Sequence, residues 1–121
     1  MHYKQSLTVP ANTLKAALVT ASLVLPAGVL EHIDIVFPPG CARMVHVDIK
    51  NGSTVVYPKG SSTDYCEDAY TVAIDDMVIF DAGPTLTIEG WSPGTTYSHV
   101  ITVHAYIRTI EEIAMSRTGY Y

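Results

Sequence analysis

Charge is the scarcest resource in this chain: Asp, Glu, Lys and Arg together make up only 16% of 121 residues. The seven Lys and Arg are scattered, and the formal net charge is -5. No cationic stripe exists to neutralise phosphates, so direct nucleic-acid binding is not expected. No apolar run approaches the ~18 residues of a membrane-spanning helix. The stretch Lys15 to Ala27 has the make-up of a signal-peptide core, but Thr20 and Ser22 interrupt it and we read it as strand. Only two cysteines occur, Cys41 and Cys66, both in turn-like segments, and we take them as free thiols. A Gly-x-Ser-x-Gly elbow is missing, and the neighbours Ser98 and His99 point apart on an extended chain. The chain is accordingly expected to be no enzyme, with no catalytic residue, no cofactor and no metal ligand assigned.

What the sequence does have is alternation. Hydrophobic residues make up 48% of the chain, ample for one core without staples. In Ile101-Thr102-Val103-His104-Ala105-Tyr106-Ile107 an apolar row alternates with a mixed polar one, the pattern of a half-buried antiparallel strand. Further strands are expected over Tyr3 to Val9, Lys15 to Leu25, and Val29 to Phe37, the last with Val29, Ile33, Ile35 and Phe37 on one side. Arg43 to Ile49 places Val45, Val47 and Ile49 inward and His46 and Asp48 outward. Asn51-Gly52 predicts a hairpin to Thr54 to Tyr57. Residues 58 to 68, polar and without period, form the longest loop. Tyr70 to Ile74 and Met77 to Phe80 are separated by an Asp75-Asp76 turn, and Thr85 to Trp91 precedes the last strand. With turn signals every ~8 to 12 residues and no room for crossovers, the expectation is an all-β fold. Specifically, it is an antiparallel β-sandwich of eight to nine strands with jelly-roll or related Greek-key topology. The sandwich occupies residues 1-108, and residues 109-121 form a tail in which Thr109 caps a short helical turn.

The histidines invite a search for chemistry. His99 and His104 fall on opposite faces of one strand, and His99 reads as a hydrogen-bonded residue at the rim of the core. A pairing of His46 with His104 or His32 across a sheet would be needed for a metal, and chance explains such pairs better. Asp64, Glu67, Asp68, Asp75 and Asp76 lack calcium-loop spacing and read as a solvated acidic rim. Eight of the eleven aromatic residues are tyrosines, a residue suited to interfaces by its broad ring and polar tip. Interface candidates are Tyr57, Tyr65, Tyr70 and Tyr106, with Ile110, Ile113, Met115, Tyr120 and Tyr121 of the tail, which suits packing on a neighbouring subunit. Trp91 and Tyr97 are candidates for a platform that stacks on sugar rings.

The segments LPAGVLEHIDIVFPPGCARMVHVDI and LTIEGWSPGTTYSHVITVHAYI, within residues 25 to 107, resemble small phage-associated β-sandwich proteins. A proline-glycine turn precedes a Val-His-Val strand there, and a Gly-Trp turn precedes a Tyr-x-His strand. That resemblance implies a bacteriophage virion structural protein, a capsid decoration or cement protein. Such a protein would oligomerise, dock on the major capsid protein or other virion proteins, and assemble in the host cytoplasm. The alternative expectation is a carbohydrate-binding module for host attachment, a fibre or spike component. Neither reading places it in a membrane.

Overall fold

The computed structural model describes residues 1–59 and 64–117, with side chains as far as Ile113. Eight strands run in chain order: β1 (His2–Val9), β2 (Val19–Val24), β3 (Gly28–Phe37), β4 (His46–Asn51), β5 (Thr54–Tyr57), β6 (Tyr70–Phe80), β7 (Thr85–Trp91) and β8 (His99–Thr109). An α-helix, α1 (Ile110–Arg117), follows. The strands form two antiparallel sheets, ordered β1-β8-β3-β6 and β2-β7-β4-β5. This interleaving of odd and even neighbours across two sheets is the eight-stranded jelly roll.

Alternation within each strand builds the core between the sheets. Ile101, Val103, Ala105 and Ile107 of β8 are buried, as are Val45 and then Val47 and Ile49 of β4. On β3 the inward set is Leu30, Ile33, Ile35 and Phe37, so Leu30 takes the place expected for Val29. The cause is a bulge. Glu31 has no partner on β8, where Leu30 faces Ile107 and His32 faces Tyr106. One extra residue reverses the parity of everything before it.

The same bulge explains a second difference. Asp75-Asp76 is no turn, because β6 runs through it unbroken for 11 residues, spanning Glu31 between the pairs Leu30↔Val78 and His32↔Asp75. Lys15 to Leu25 also divides: Lys15–Ala17 is a 3-10 turn and the strand begins at Val19. At the β4–β5 hairpin Asn51 pairs with Thr54, and positive φ falls on Gly52 alone at 65°. The tight turn is therefore centred on Gly52-Ser53, one residue later than Asn51-Gly52 predicts.

Thr109 caps the tail helix as expected. Its hydroxyl accepts from the Glu112 amide at 3.2 Å, while the Glu112 carboxylate accepts from the Thr109 amide at 3.3 Å, a reciprocal capping box. The helix covers eight residues instead of a single turn.

The two long sides of the sandwich differ. On one side β1 packs against β2. On the other, β6 and β5 do not meet, and among the described residues no strand pairs with the outer edge of β6. A cleft of about 310 Å³ opens there, lined among others by Val55, Val56, Tyr57, Val78, Phe80 and Leu86.

Candidate functional site

The densest polar constellation lies on the outer face of the β2-β7-β4-β5 sheet. Alternation turns His46, Asp48 and Lys50 of β4 outward, beside Trp91, Glu89 and Thr87 of β7 in register. An outward face is normally wet, yet Asp48 is 5% exposed, Glu89 9% and Trp91 4%. Part of the cover is the segment after β5. Tyr65 pairs with Val47 where β4 runs past its pairing with β5, each amide donating to the other's carbonyl at 2.9 and 2.8 Å. Because successive side chains point to opposite faces, Asp64 and Cys66, flanking Tyr65, share the outer face with His46 and Asp48, flanking Val47.

His46 is held on two sides. Its ring lies parallel to Trp91, 5° apart with centroids at 5.6 Å, and its Nδ1 is 3.0 Å from Asp64 Oδ1. Lys15, brought in by the 3-10 turn, sets its ammonium 5.0 Å from the Trp91 ring centre. Beneath them Asp48 and Glu89 face each other as partners across two strands. Burial first, then the hydrogen bond to Glu89 and that residue's charge, push the Asp48 carboxyl up to about 7, against the pull of Lys50 and Lys15. Lys50 lies 3.1 Å from Glu89. Two facing carboxyls in one dry site favour sharing a proton over ionising together.

His46, Asp64 and Cys66 also form the one group of three metal-binding side chains found among the described residues, with donor atoms within 4.8 Å of one another. The pairing of His46 with His32 or His104, set aside from the sequence, does not occur: both belong to the other sheet. There, on the outer face of β1-β8-β3-β6, His2 Nε2 lies 2.7 Å from His104 Nδ1, and His2 stacks on Tyr106. His32 bridges Asp34 and Asp75, each at 2.6 Å. The hydrogen bond to Asp75, helped by Asp34, outweighs burial and raises the His32 pKa, whereas burial and then the charges of His2 and Lys4 lower that of His104.

Asp68 and Asp75 are exposed, as a solvated rim requires, the Asp75 side chain at 95%, but Asp68 and Asp76 also anchor the chain. Asp68 accepts the amides of Gly40 and Ala42 at 3.0 and 3.1 Å. Asp76 accepts the Tyr57 hydroxyl at 2.6 Å and a Lys59 ammonium hydrogen bond at 3.0 Å. Partial burial opposes its ionisation, but Tyr57, Lys59 and the Met77 amide together hold its carboxyl below the usual range. His99 sits at the core's rim as expected, but its buried Nδ1 finds no hydrogen-bond partner among the described residues. Both cysteines are free, Cys41 buried and Cys66 half-buried.

The predicted interface residues scatter. Tyr57 is core, 2% exposed, because its ring closes the open side of the sandwich and its hydroxyl is taken by Asp76. Tyr65 is half-buried, while Tyr70, Tyr106 and Ile110 are exposed and Ile113 is half-buried. The side chain of Met115, and Tyr120 and Tyr121, lie outside the described residues. Trp91 and Tyr97 do not form a platform. Trp91 is covered by its neighbours, and Tyr97 is exposed on the β7–β8 connection, beside Met44 and His99. Sequence reasoning missed Asp48, Glu89 and the Asp64–Cys66 pair. The spacing Asp64-x-Cys66 was the available signal, since two donors two apart on an extended segment face one way.

No protein-family model and no curated protein matches the chain. Among solved structures, the chain is similar to the crystal structure of FLHE, at 14% identity and a TM-score of 0.47, over 89% of this chain and 96% of that one. It is also similar to a family two carbohydrate esterase from Cellvibrio japonicus, at 13% identity and a TM-score of 0.35. That match spans 90% of this chain and 35% of the esterase. Likeness at this level carries no argument about function.

Proposed function

We propose that the chain is an adhesive structural protein that acts as a homo-oligomer joined through β6, in the role of a phage capsid decoration protein. The observation that supports it is the β6 edge. This strand is long, ends its sheet, and exposes Tyr70, Met77 and Ile79, the last two at 73% and 71%. It contains neither Lys, Arg nor Pro, the usual devices that blunt an edge against pairing. Of its two carboxylates, Asp76 is engaged by Tyr57 and Lys59, which leaves Asp75, bonded to His32 but 95% exposed, as the one solvated charge on the strand. A second copy of β6 would cover the main-chain edge and the exposed side chains together.

The jelly roll serves capsids and lectins alike, so the architecture does not choose between them. Docking on a capsid rests on the resemblance of residues 25 to 107 to phage-associated sandwiches. A sugar-binding role has less support, because Trp91 has no open ring face. The covered acid pair Asp48–Glu89 favours a non-enzymatic reading, since a substrate would have no access to it.

Light scattering after size exclusion tests the oligomer, and analysis of purified particles tests the location. A multimer that becomes monomeric on Met77→Lys with Ile79→Lys is expected. A wild-type monomer, or a multimer indifferent to both lysines, would refute assembly through β6. Absence of the chain from purified virions would refute the decoration role.

A further inference from the structure

The geometry points to a binding site for a borderline-soft divalent cation, Zn²⁺ in character, held by His46, Asp64 and Cys66 on the outer face of the β2-β7-β4-β5 sheet. The donors are one imidazole nitrogen, one carboxylate oxygen and one thiol sulfur, all within 4.8 Å of each other. In a finished tetrahedral site, with metal–ligand bonds of ~2.0 to 2.3 Å, neighbouring donors stand roughly 3.3 to 3.8 Å apart. The His46 Nδ1–Asp64 Oδ1 hydrogen bond, at 3.0 Å, must open slightly, and the remaining separations, at most 4.8 Å, must contract. A mixed nitrogen, oxygen and sulfur set selects zinc-like ions over calcium or magnesium, which demand oxygen throughout.

Three features make the cluster a built site. The double hydrogen bond between Tyr65 and Val47 fixes the backbone that carries Asp64 and Cys66 against the edge of β4. The parallel stack on Trp91 sets the plane of the His46 ring, the kind of support that orients a metal ligand. The charge also suits a cation. Around the thiol stand the carboxylates of Asp64 and Glu67, opposed by Arg43. Cation binding would displace the thiol proton to solvent and form the metal–sulfur bond in its place, and the proton of the His46 Nδ1–Asp64 hydrogen bond would move to Nε2 or to solvent as Nδ1 and the carboxylate turn to the ion. Three protein donors leave one coordination position open, for water or a fourth donor. The ion would clamp the segment around Tyr65 onto the sheet, adding to its two backbone hydrogen bonds.

Co²⁺ is the probe, because a tetrahedral cobalt–thiolate site announces itself by visible d–d bands and a near-ultraviolet sulfur-to-metal transition. Added to the reduced, chelator-stripped full chain, Co²⁺ should develop both signals to saturation at one equivalent, and Zn²⁺ should bleach them. Cys66→Ser should remove the sulfur transition and His46→Ala should abolish saturation, while His104→Ala, on the other sheet, should change neither. A second readout needs no variant. Zn²⁺ should slow alkylation of Cys66 by at least about tenfold, as thiolate capture requires, with buried Cys41 as the internal reference. No cobalt–sulfur transition, or alkylation of Cys66 indifferent to Zn²⁺, would overturn the site. So would binding that survives Cys66→Ser and His46→Ala but is lost in His104→Ala.

Discussion

Replacing Asp48 with Asn should stabilise the protein above neutral pH and do little in acid. In the unfolded chain this carboxyl ionises near ~4; in the folded protein it keeps its proton up to about 7. A folded value above the unfolded one means that the native state binds the extra proton. The resulting stability is complete below pH ~4, declines as pH rises between the two values, and is gone above about 7. At roughly 1.4 kcal/mol per pH unit, that interval sets a ceiling of ~4 kcal/mol. The folded value already contains the pull of the Lys50 and Lys15 ammoniums; relaxation and water entry around the charged carboxylate reduce the penalty, so about half, ~2 kcal/mol, is the expected size. Asparagine keeps the shape and a hydrogen-bonding group toward Glu89 without the charge. Urea unfolding at pH 4, 5, 6, 7 and 8 should therefore show Asp48→Asn near parity with wild type at pH 4, ahead by about a third of the full difference at pH 5, and ~2 kcal/mol more stable at pH 8. The upward shift of His32 and the downward shift of His104 are common to both proteins and cancel in the difference. A difference that stays flat with pH, or a variant less stable at pH 8, would refute the reasoning.

Three further substitutions probe how the sandwich is held. Gly90→Ala would set a Cβ 2.8 Å from Val9 Cγ2 and 2.9 Å from Leu7 Cδ2, so overpacking should cost ~1 to 3 kcal/mol by denaturant unfolding. Tyr57→Phe leaves the ring but withdraws its hydroxyl from the Asp76 carboxylate; a loss of ~1.5 to 3 kcal/mol is expected, and the acid limb of the stability profile should move upward as Asp76 becomes easier to protonate. Thr109→Ala removes half of the capping box and should release α1 at a cost of ~0.5 to 2 kcal/mol, read as faster amide exchange in the helix with β8 unaffected.

The architecture was largely legible because alternation is a local property. Each buried residue of β8 and each inward residue of β4 could be read from neighbours two positions away. Legibility failed where a distant partner altered the local rule. Asp75-Asp76 looks like a turn until Tyr57 and Lys59, delivered by another strand, give Asp76 a reason to sit inside one. Val29 and Leu30 exchange roles because of a bulge at Glu31 that no periodicity announces. The candidate site was the least legible part. His46 and Asp48 were correctly turned outward, but their burial comes from a loop whose placement depends on one bridge between Tyr65 and Val47. Trp91, the natural sugar platform in one dimension, is a wall of that site in three.

The strand order also fixes when this protein can begin to exist. β8 lies between β1 and β3, so the first sheet lacks its middle until residue 109 has been made. Until then β1 has no neighbour in that sheet, and the apolar rows of β3 and β6 have no completed opposite wall. A ribosome-bound chain shortened before residue 99 should therefore remain protease-sensitive throughout, then become resistant in one step. Synthesis leaves the central stave of the barrel-like stack for last, and chaperones would meet every earlier length as unfinished, sticky ribbon.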